Sequence, residues 1–257
     1  PAPPRRVPLV GMPALPVSPC AVRAKCAPAP MAFAVCRHAE RADAFGATGP
    51  GGAAWTASED AARYPYDPPL SAKGVVDASD MGLSAWDFAQ QHGVRFGCVV
   101  ASPYYRCVQT AMELVCALDP SIPVLVDASL GEVFGPDFMD ERIVAQESHL
   151  RPLEDAVAMC AARGVACLPL SLPGPVWPET IRHAKDRTLS AFVRWLGECV
   201  AGRGNFIMVT HGHAVDAALS LMPSQAAHFV RGVAPGGMFL ASQHEAPCAE
   251  PPEASAA

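Results

Sequence analysis

A three-layer α/β sandwich with a largely parallel central sheet is the fold that this sequence predicts. Two observations carry the prediction. Short apolar runs alternate along the chain with amphipathic helical stretches. The runs also stop abruptly at polar motifs, as buried strands do when they leave a sheet at its carboxyl edge. The 257 residues allow one sizeable core of about 200 residues plus tails.

Residues 1–30 carry Pro and Ala at a density that prevents regular structure, and a disordered leader is expected there. Ala32-Phe33-Ala34-Val35-Cys36 is a buried strand that ends at Arg37-His38. Residues 44–69 hold a Gly/Pro cluster and read as a long loop. Ser71 is the N-cap expected for a helix over 72–91, in which Val75, Ala78, Met81, Ala85 and Phe88 recur at helical spacing. Residues 97–101 form the next strand and stop at Ser102-Pro103, before a helix over 104–118. A short strand over 123–126 leads to Leu130-Gly131-Glu132.

Residues 136–178 contain six prolines around a helix near 152–162 and are expected to form a cap or insertion. A long helix over 179–201 should turn Ile181, Thr188, Phe192, Trp195 and Cys199 inward. Residues 206–210 are the clearest strand, ending at His211-Gly212-His213 before a helix to about Leu221. Residues 238–242 add a last strand, so the folded domain is expected to span 31–243, and 244–257 read as a disordered tail.

Hydrophobic residues make up 51% of the chain and charged residues 17%, the balance of a folded enzyme. A net charge of −6 excludes a general attraction to nucleic acid or to an anionic membrane surface. No apolar run approaches the roughly 20 residues that span a bilayer. The ten cysteines are scattered without a C-x-x-C pair, so zinc and disulfide frameworks are disfavoured. A reducing, cytoplasmic location is expected on that ground. The chain opens on Pro1 rather than Met, compatible with a piece of a longer protein.

In open α/β sheets ligands bind beyond the carboxyl ends of the strands. Three motifs fall there independently: Arg37-His38, Ser102 to Arg106, and His211. Phosphoryl transfer through an enzyme nucleophile needs an in-line attacking atom, donors for the equatorial oxygens and an acid for the leaving oxygen. Neutral imidazole suits the first task, and arginine forks suit the second. His38 with Arg37, Arg41 and Arg106 therefore reads as a nucleophile in a cationic cradle. His211 would donate to the transferring group. His211-Gly212-His213 also permits a metal-binding reading, but no partner cluster accompanies it, and packing at the first turn of a helix is the better account of His213.

These residues resemble a known family. Val35-Cys36-Arg37-His38-Ala39-Glu40-Arg41-Ala42-Asp43 is similar to the R-H-G-E signature of the histidine phosphatase, or phosphoglycerate mutase-like, superfamily. Tyr66-Asp67-Pro68-Pro69-Leu70-Ser71 and Ser102-Pro103-Tyr104-Tyr105-Arg106 narrow the likeness to one group. It comprises the phosphatase domain of the T-cell ubiquitin-ligand proteins and the insect ecdysteroid-phosphate phosphatases. The resemblance implies a phosphomonoesterase with a phosphohistidine intermediate on His38. Arg37, Arg41, Arg106 and His211 would then bind phosphate, and Glu132 would serve as proton donor. It implies no metal and no organic cofactor, a phosphorylated small molecule or phosphoprotein as substrate, and leaves a homodimer open.

Two departures stand out: Ala39 replaces the usual Gly, and Val133 follows Glu132 where an aromatic residue is common. Asp137, Asp140 and Glu141 stay as alternative acids. A mutase is the nearest rival, disfavoured because its R-H-G-E-S-x-W-N element is missing. A weakly active regulatory module of the same fold is a third reading.

Overall fold

The computed structural model describes residues 30–44, 55–141, 150–222, 228–230 and 232–243. The expected leader and tail lie outside the described residues, apart from Pro30. In chain order the elements are β1 (Met31–Arg37), α1 (Glu59–Arg63), α2 (Ala72–His92), β2 (Phe96–Ala101), α3 (Tyr105–Leu118), β3 (Val124–Val126) and a single 3₁₀ turn (Ala128–Leu130). There follow α4 (Leu153–Ala162), β4 (Cys167–Pro169), α5 (Ile181–Val200), β5 (Asn205–Thr210), α6 (Gly212–Leu219), β6 (His228–Val230) and β7 (Met238–Gln243).

Seven strands form one sheet in the order β4-β3-β2-β5-β1-β7-β6. The five strands from β4 to β1 run parallel, while β7 and β6 continue the sheet antiparallel. Strand alternation divides the core into two faces. Ala32, Ala34 and Cys36 of β1 pack with Met81, Phe88, Val108 and Leu114 of α2 and α3. Phe33 and Val35 point the other way, onto Phe192 and Trp195 of α5 and Val215 of α6. The Phe33 ring meets Phe192 edge-on at 5.3 Å and stacks on Phe206 at 5.9 Å. Burying each such ring stabilises the fold by about 1.5–3 kcal/mol, which fixes the strand's facing. Seven described cysteines are free thiols, six of them buried, behaving as small apolar side chains.

Local signals place the helices. Ser71 caps α2, its Oγ accepting from Gly74 N, and Thr180 caps α5 by accepting from His183 N. The residues of 44–69 that are described include α1, which the long-loop expectation overlooked. Ser58 caps it, and Asp60 in its first turn binds both Trp55 Nε1 and the Arg151 guanidinium, so tertiary contacts stabilise a helix too short to show in periodicity. Ile181 is a second correction. It is exposed, because as the first residue of α5 it faces the open cavity beside Arg37 and Glu132 and not the core. Residues 136–178 are more than a cap: Ala156, Cys160 and Cys167 join the core, and β4 extends the sheet as a three-residue edge strand ending at Pro169.

Candidate active site

Strand register brings the three motifs together. Arg37 pairs with Thr210 across β1 and β5, and Ala101 pairs with Val209 across β2 and β5. His38, Ser102 and His211 each lie one residue beyond those ends. His38 N donates to Thr210 O and Ser102 N donates to Val209 O, which continues the ladder and fixes where the side chains emerge.

His38 is buried, and its Nδ1 lies 2.9 Å from Ala39 O. A carbonyl oxygen only accepts, so Nδ1 carries the hydrogen and Nε2 keeps the lone pair. Burial, followed by the nearby charge of Arg106, holds the imidazole well below its usual pKa. The ring is therefore neutral near pH 7 and its Nε2 needs no deprotonation before it attacks an electrophile. Ala39 N donates to Thr110 Oγ1, whose hydroxyl donates to Arg106 O, so the nucleophile's loop is tied to α3. The Ala39 methyl belongs to a small cluster with Leu70 and Ala78.

Arg106, in the first turn of α3, is 1% exposed. Its Nη1 donates to Tyr66 O at 3.1 Å and lies 3.8 Å from the buried Asp67. Its Nη2 lies 3.5 Å from Glu132 Oε2, and the guanidinium sits 4.4 Å over the Tyr104 ring. Arg37 donates Nη1 to Val233 O, and its guanidinium packs beside Gly212 at the start of α6. The Nε atoms of Arg37 and Arg106 are both buried without an acceptor. Two such cationic donors beside one neutral imidazole suit an oxyanion. Arg41 is placed differently from the sequence expectation. It lies on no helix but in a bridge to Leu70, and its guanidinium forms a fork on Asp43, so it enters the site as a neighbouring charge.

Glu132 joins two imidazoles. Its Oε2 lies 3.1 Å from His211 Nδ1 and its Oε1 lies 3.0 Å from His213 Nδ1. Burial by itself pushes the Glu132 carboxyl up. Hydrogen bonds donated by His211 and His213, with the Arg106 charge, outweigh it and keep the group an ionised carboxylate. His211 is pulled down to about 4, chiefly by burial, and is neutral. With Nδ1–H donating to Glu132, its Nε2 accepts from Ser102 Oγ–H at 2.9 Å. Both ring nitrogens are thus engaged within the protein, and the expected donation from His211 to a phosphoryl group needs a rearrangement of these bonds. Of the alternative acids, Asp137 and Glu141 are exposed, whereas the backbone N–H of Asp140 donates to Tyr66 Oη.

His213, set aside in the sequence as a packing residue, is the partner that sequence reasoning missed. Its i+2 spacing from His211 gave a signal, but only the turn into α6 stacks the two rings in parallel at 6.0 Å with both Nδ1 atoms on one carboxylate. Among the described residues no cluster of three or more His, Cys, Asp or Glu could hold a metal ion, and no helix is long and apolar enough to cross a membrane. Beside the cradle lies a cavity of about 450 Å³ reached by Arg37, Glu132 and His213, with Phe138, Ile181 and Val233 on its walls.

Comparisons with known proteins bear on the family and the fold. The chain is 26% identical over 191 residues to human Ubiquitin-associated and SH3 domain-containing protein A; the match covers 71% of this chain and 28% of that protein. The chain therefore spans about a quarter of that relative's length. Among solved structures, the ecdysone phosphate phosphatase of Bombix mori, in complex with tungstate, superposes with a TM-score of 0.50 at 20% identity, covering 78% of this chain and 83% of that one. A phosphoglycerate mutase from Bacillus anthracis aligns with a TM-score of 0.46 at 15% identity, over 77% and 82% of the two chains. The profile of the Histidine phosphatase superfamily (branch 1) matches residues 37–234, most of the chain, and the protein belongs to that superfamily.

Proposed function

We propose that this chain is a phosphomonoesterase that hydrolyses its substrate through a phosphohistidine on His38. The observation that carries the reading is the neutral, Nδ1-tethered imidazole of His38 beside the buried, unpaired Nε–H groups of Arg37 and Arg106. In this scheme the equatorial phosphoryl oxygens accept from the arginines while His38 Nε2 attacks phosphorus in line. The bond from phosphorus to the ester oxygen breaks, and that oxygen leaves with a proton from Glu132. Water then attacks the phosphohistidine, the P–N bond breaks, and Glu132 accepts the proton of the water.

Glu132 is ionised before substrate arrives, so its proton enters with the substrate. The ester enters as its monoanion: the negative phosphoryl group beside Glu132 raises the carboxyl by repulsion, so the phosphate's own proton passes to Glu132 and from there to the leaving oxygen. No metal or organic cofactor takes part in this scheme.

The cavity next to Glu132 supports hydrolysis over a mutase reaction. Phe138, Ile181 and Val233 form its apolar wall, His213 is engaged by Glu132, and Lys185 is bonded to Asp216 at 2.6 Å. Among the described residues that line it, none is an unpaired cation for a second phosphate apart from the cradle's own Arg37. The substrate is on this reading a monoester, of a small molecule or of a protein side chain, whose alcohol part offers an apolar surface to Phe138, Ile181 and Val233. The test places p-nitrophenyl phosphate, a phosphotyrosine peptide and a sugar phosphate beside 3-phosphoglycerate with its bisphosphate activator. Ester hydrolysis with an acid-labile phosphoenzyme is expected. Fast isomerisation with negligible hydrolysis would overturn the proposal, and so would turnover equal to that of His38→Ala.

A further inference from the structure

Residues 131–134, which carry Glu132, belong to no helix or strand. Something else must hold them, and the structure assigns that task to Arg187: we propose that it is a positioning residue for the acid, acting through the backbone on either side of Glu132. The inference rests on the reading of Glu132 as the group that protonates the leaving oxygen.

Arg187 lies two turns into α5 and is only 14% exposed at its side chain. Its Nε and Nη2 each lie 2.8 Å from one oxygen of Glu179, a bidentate fork on a carboxylate that is itself buried. The remaining donors reach three carbonyls at and before the acid. Nη1 donates to Ser129 O at 2.7 Å and to Gly131 O at 3.2 Å, and Nη2 reaches Gly131 O at 3.2 Å and Glu132 O at 3.3 Å.

Glu179 completes the clamp from the other end. Its Oε2 accepts from Phe134 N at 3.2 Å, and its own N donates to Phe134 O at 2.8 Å. The chains come so close there that a Cβ on Gly135 would stand 1.8 Å from Glu179 O, so a side chain at 135 would open the clamp. Arg106 and Arg187 thus differ in kind. Arg106 keeps a buried donor without an acceptor, whereas every nitrogen of Arg187 is spent on protein oxygens. Arg187 is therefore built to fix a loop and not to bind a phosphate. A lysine could pair with Glu179 but, as a point charge, could not span the three carbonyls as well.

An acid displaced by a fraction of an ångström still leaves the cradle intact. Its loss should then appear only where the leaving oxygen needs a proton. The experiment measures kcat/KM, which reports the step that breaks the ester bond, over esters from p-nitrophenyl phosphate, a good leaving group, to a simple alkyl phosphate. Glu132→Gln is the reference, with Arg187→Met, Arg187→Lys and Glu179→Gln beside it, each checked for an unchanged far-UV spectrum.

Arg187→Met is expected to lower kcat/KM for the alkyl ester about 10-fold or more beyond its effect on p-nitrophenyl phosphate, as acid loss does. Arg187→Lys should fall between Met and wild type, and Arg187→Met should add little selective loss to Glu132→Gln. An equal loss over all leaving groups in every folded clamp variant, or no loss, overturns the clamp while the phosphatase reading stands. An equal loss over all leaving groups in Glu132→Gln removes the acid assignment and this inference with it.

Discussion

In the proposed scheme the site has two sides, and its phosphate side rests on the carboxyl ends of β1, β2 and β5, where a ladder of parallel strands sets the position of His38, Ser102 and His211. The leaving-group side rests on residues 127–139 and the turn into α5, where side chains such as Arg187 and Glu179 hold irregular backbone. The first region is buried and built from backbone hydrogen bonds that tolerate sequence change. The second is half-open, with Phe138, Ile181 and Val233 exposed at its mouth. The contrast teaches a division of labour: the sheet fixes the place of the proposed reacting groups, and the irregular segment beside them is freer to change.

The largest expected effect breaks the buried side. His38→Ala should lower kcat on the order of 10⁴-fold or more and abolish the phosphoenzyme, since removing a nucleophile leaves only binding and electrostatics. Trapping with a labelled ester checks it; a phosphoenzyme in the variant would place the nucleophile elsewhere.

Acid should also act on the buried side first. His211 is held at about 4 in the fold and returns to about 6.5 on unfolding, so the unfolded chain binds the extra proton between those values. Stability is then full above pH 6.5 and falls as pH drops towards 4, by about 2–3 kcal/mol from this one group. Burial depresses His38 in the same sense and steepens the fall. Urea denaturation at pH 7.5, 6 and 5 measures it, and a midpoint independent of pH would contradict the neutral, buried state of these rings.

Ala39→Gly tests the boundary of the cradle. The methyl packs on Leu70 and Ala78, so its removal should cost about 1 kcal/mol of stability and change kcat less than about 3-fold. A large gain in kcat would mean instead that the methyl crowds the phosphate.

The smallest effect belongs to the open side. Lys185→Met removes half of an ion pair whose partners are 40% and 64% exposed, and KM for a monoester should move less than about 3-fold. A tenfold rise would show that Lys185 leaves Asp216 to bind substrate.

The fold and the position of His38 were legible because local signals set them. Continuous apolar runs define β1, β2 and β5, the cap residue Ser71 starts α2, and Arg37-His38 must follow β1 in any such fold. Elements held by distant partners were not legible. The short α1 depends on Arg151 of another segment, and β4 and β6 are three-residue strands that form only beside β3 and β7. Nor could spacing foresee that Arg41 would turn to Asp43 or that Ile181 would face solvent.

By itself, then, the sequence determined the layer order, the place of His38 and the chemistry that an arginine-flanked imidazole can perform. The tertiary structure decided that Glu132 is the carboxylate shared by His211 and His213, and that Arg187 and Glu179 grip its backbone. The physical reason is range. Strand and helix patterns are written in neighbours two to four residues apart, whereas these contacts join residues about 50 to 80 positions apart. Only the closed core brings them within hydrogen-bonding distance.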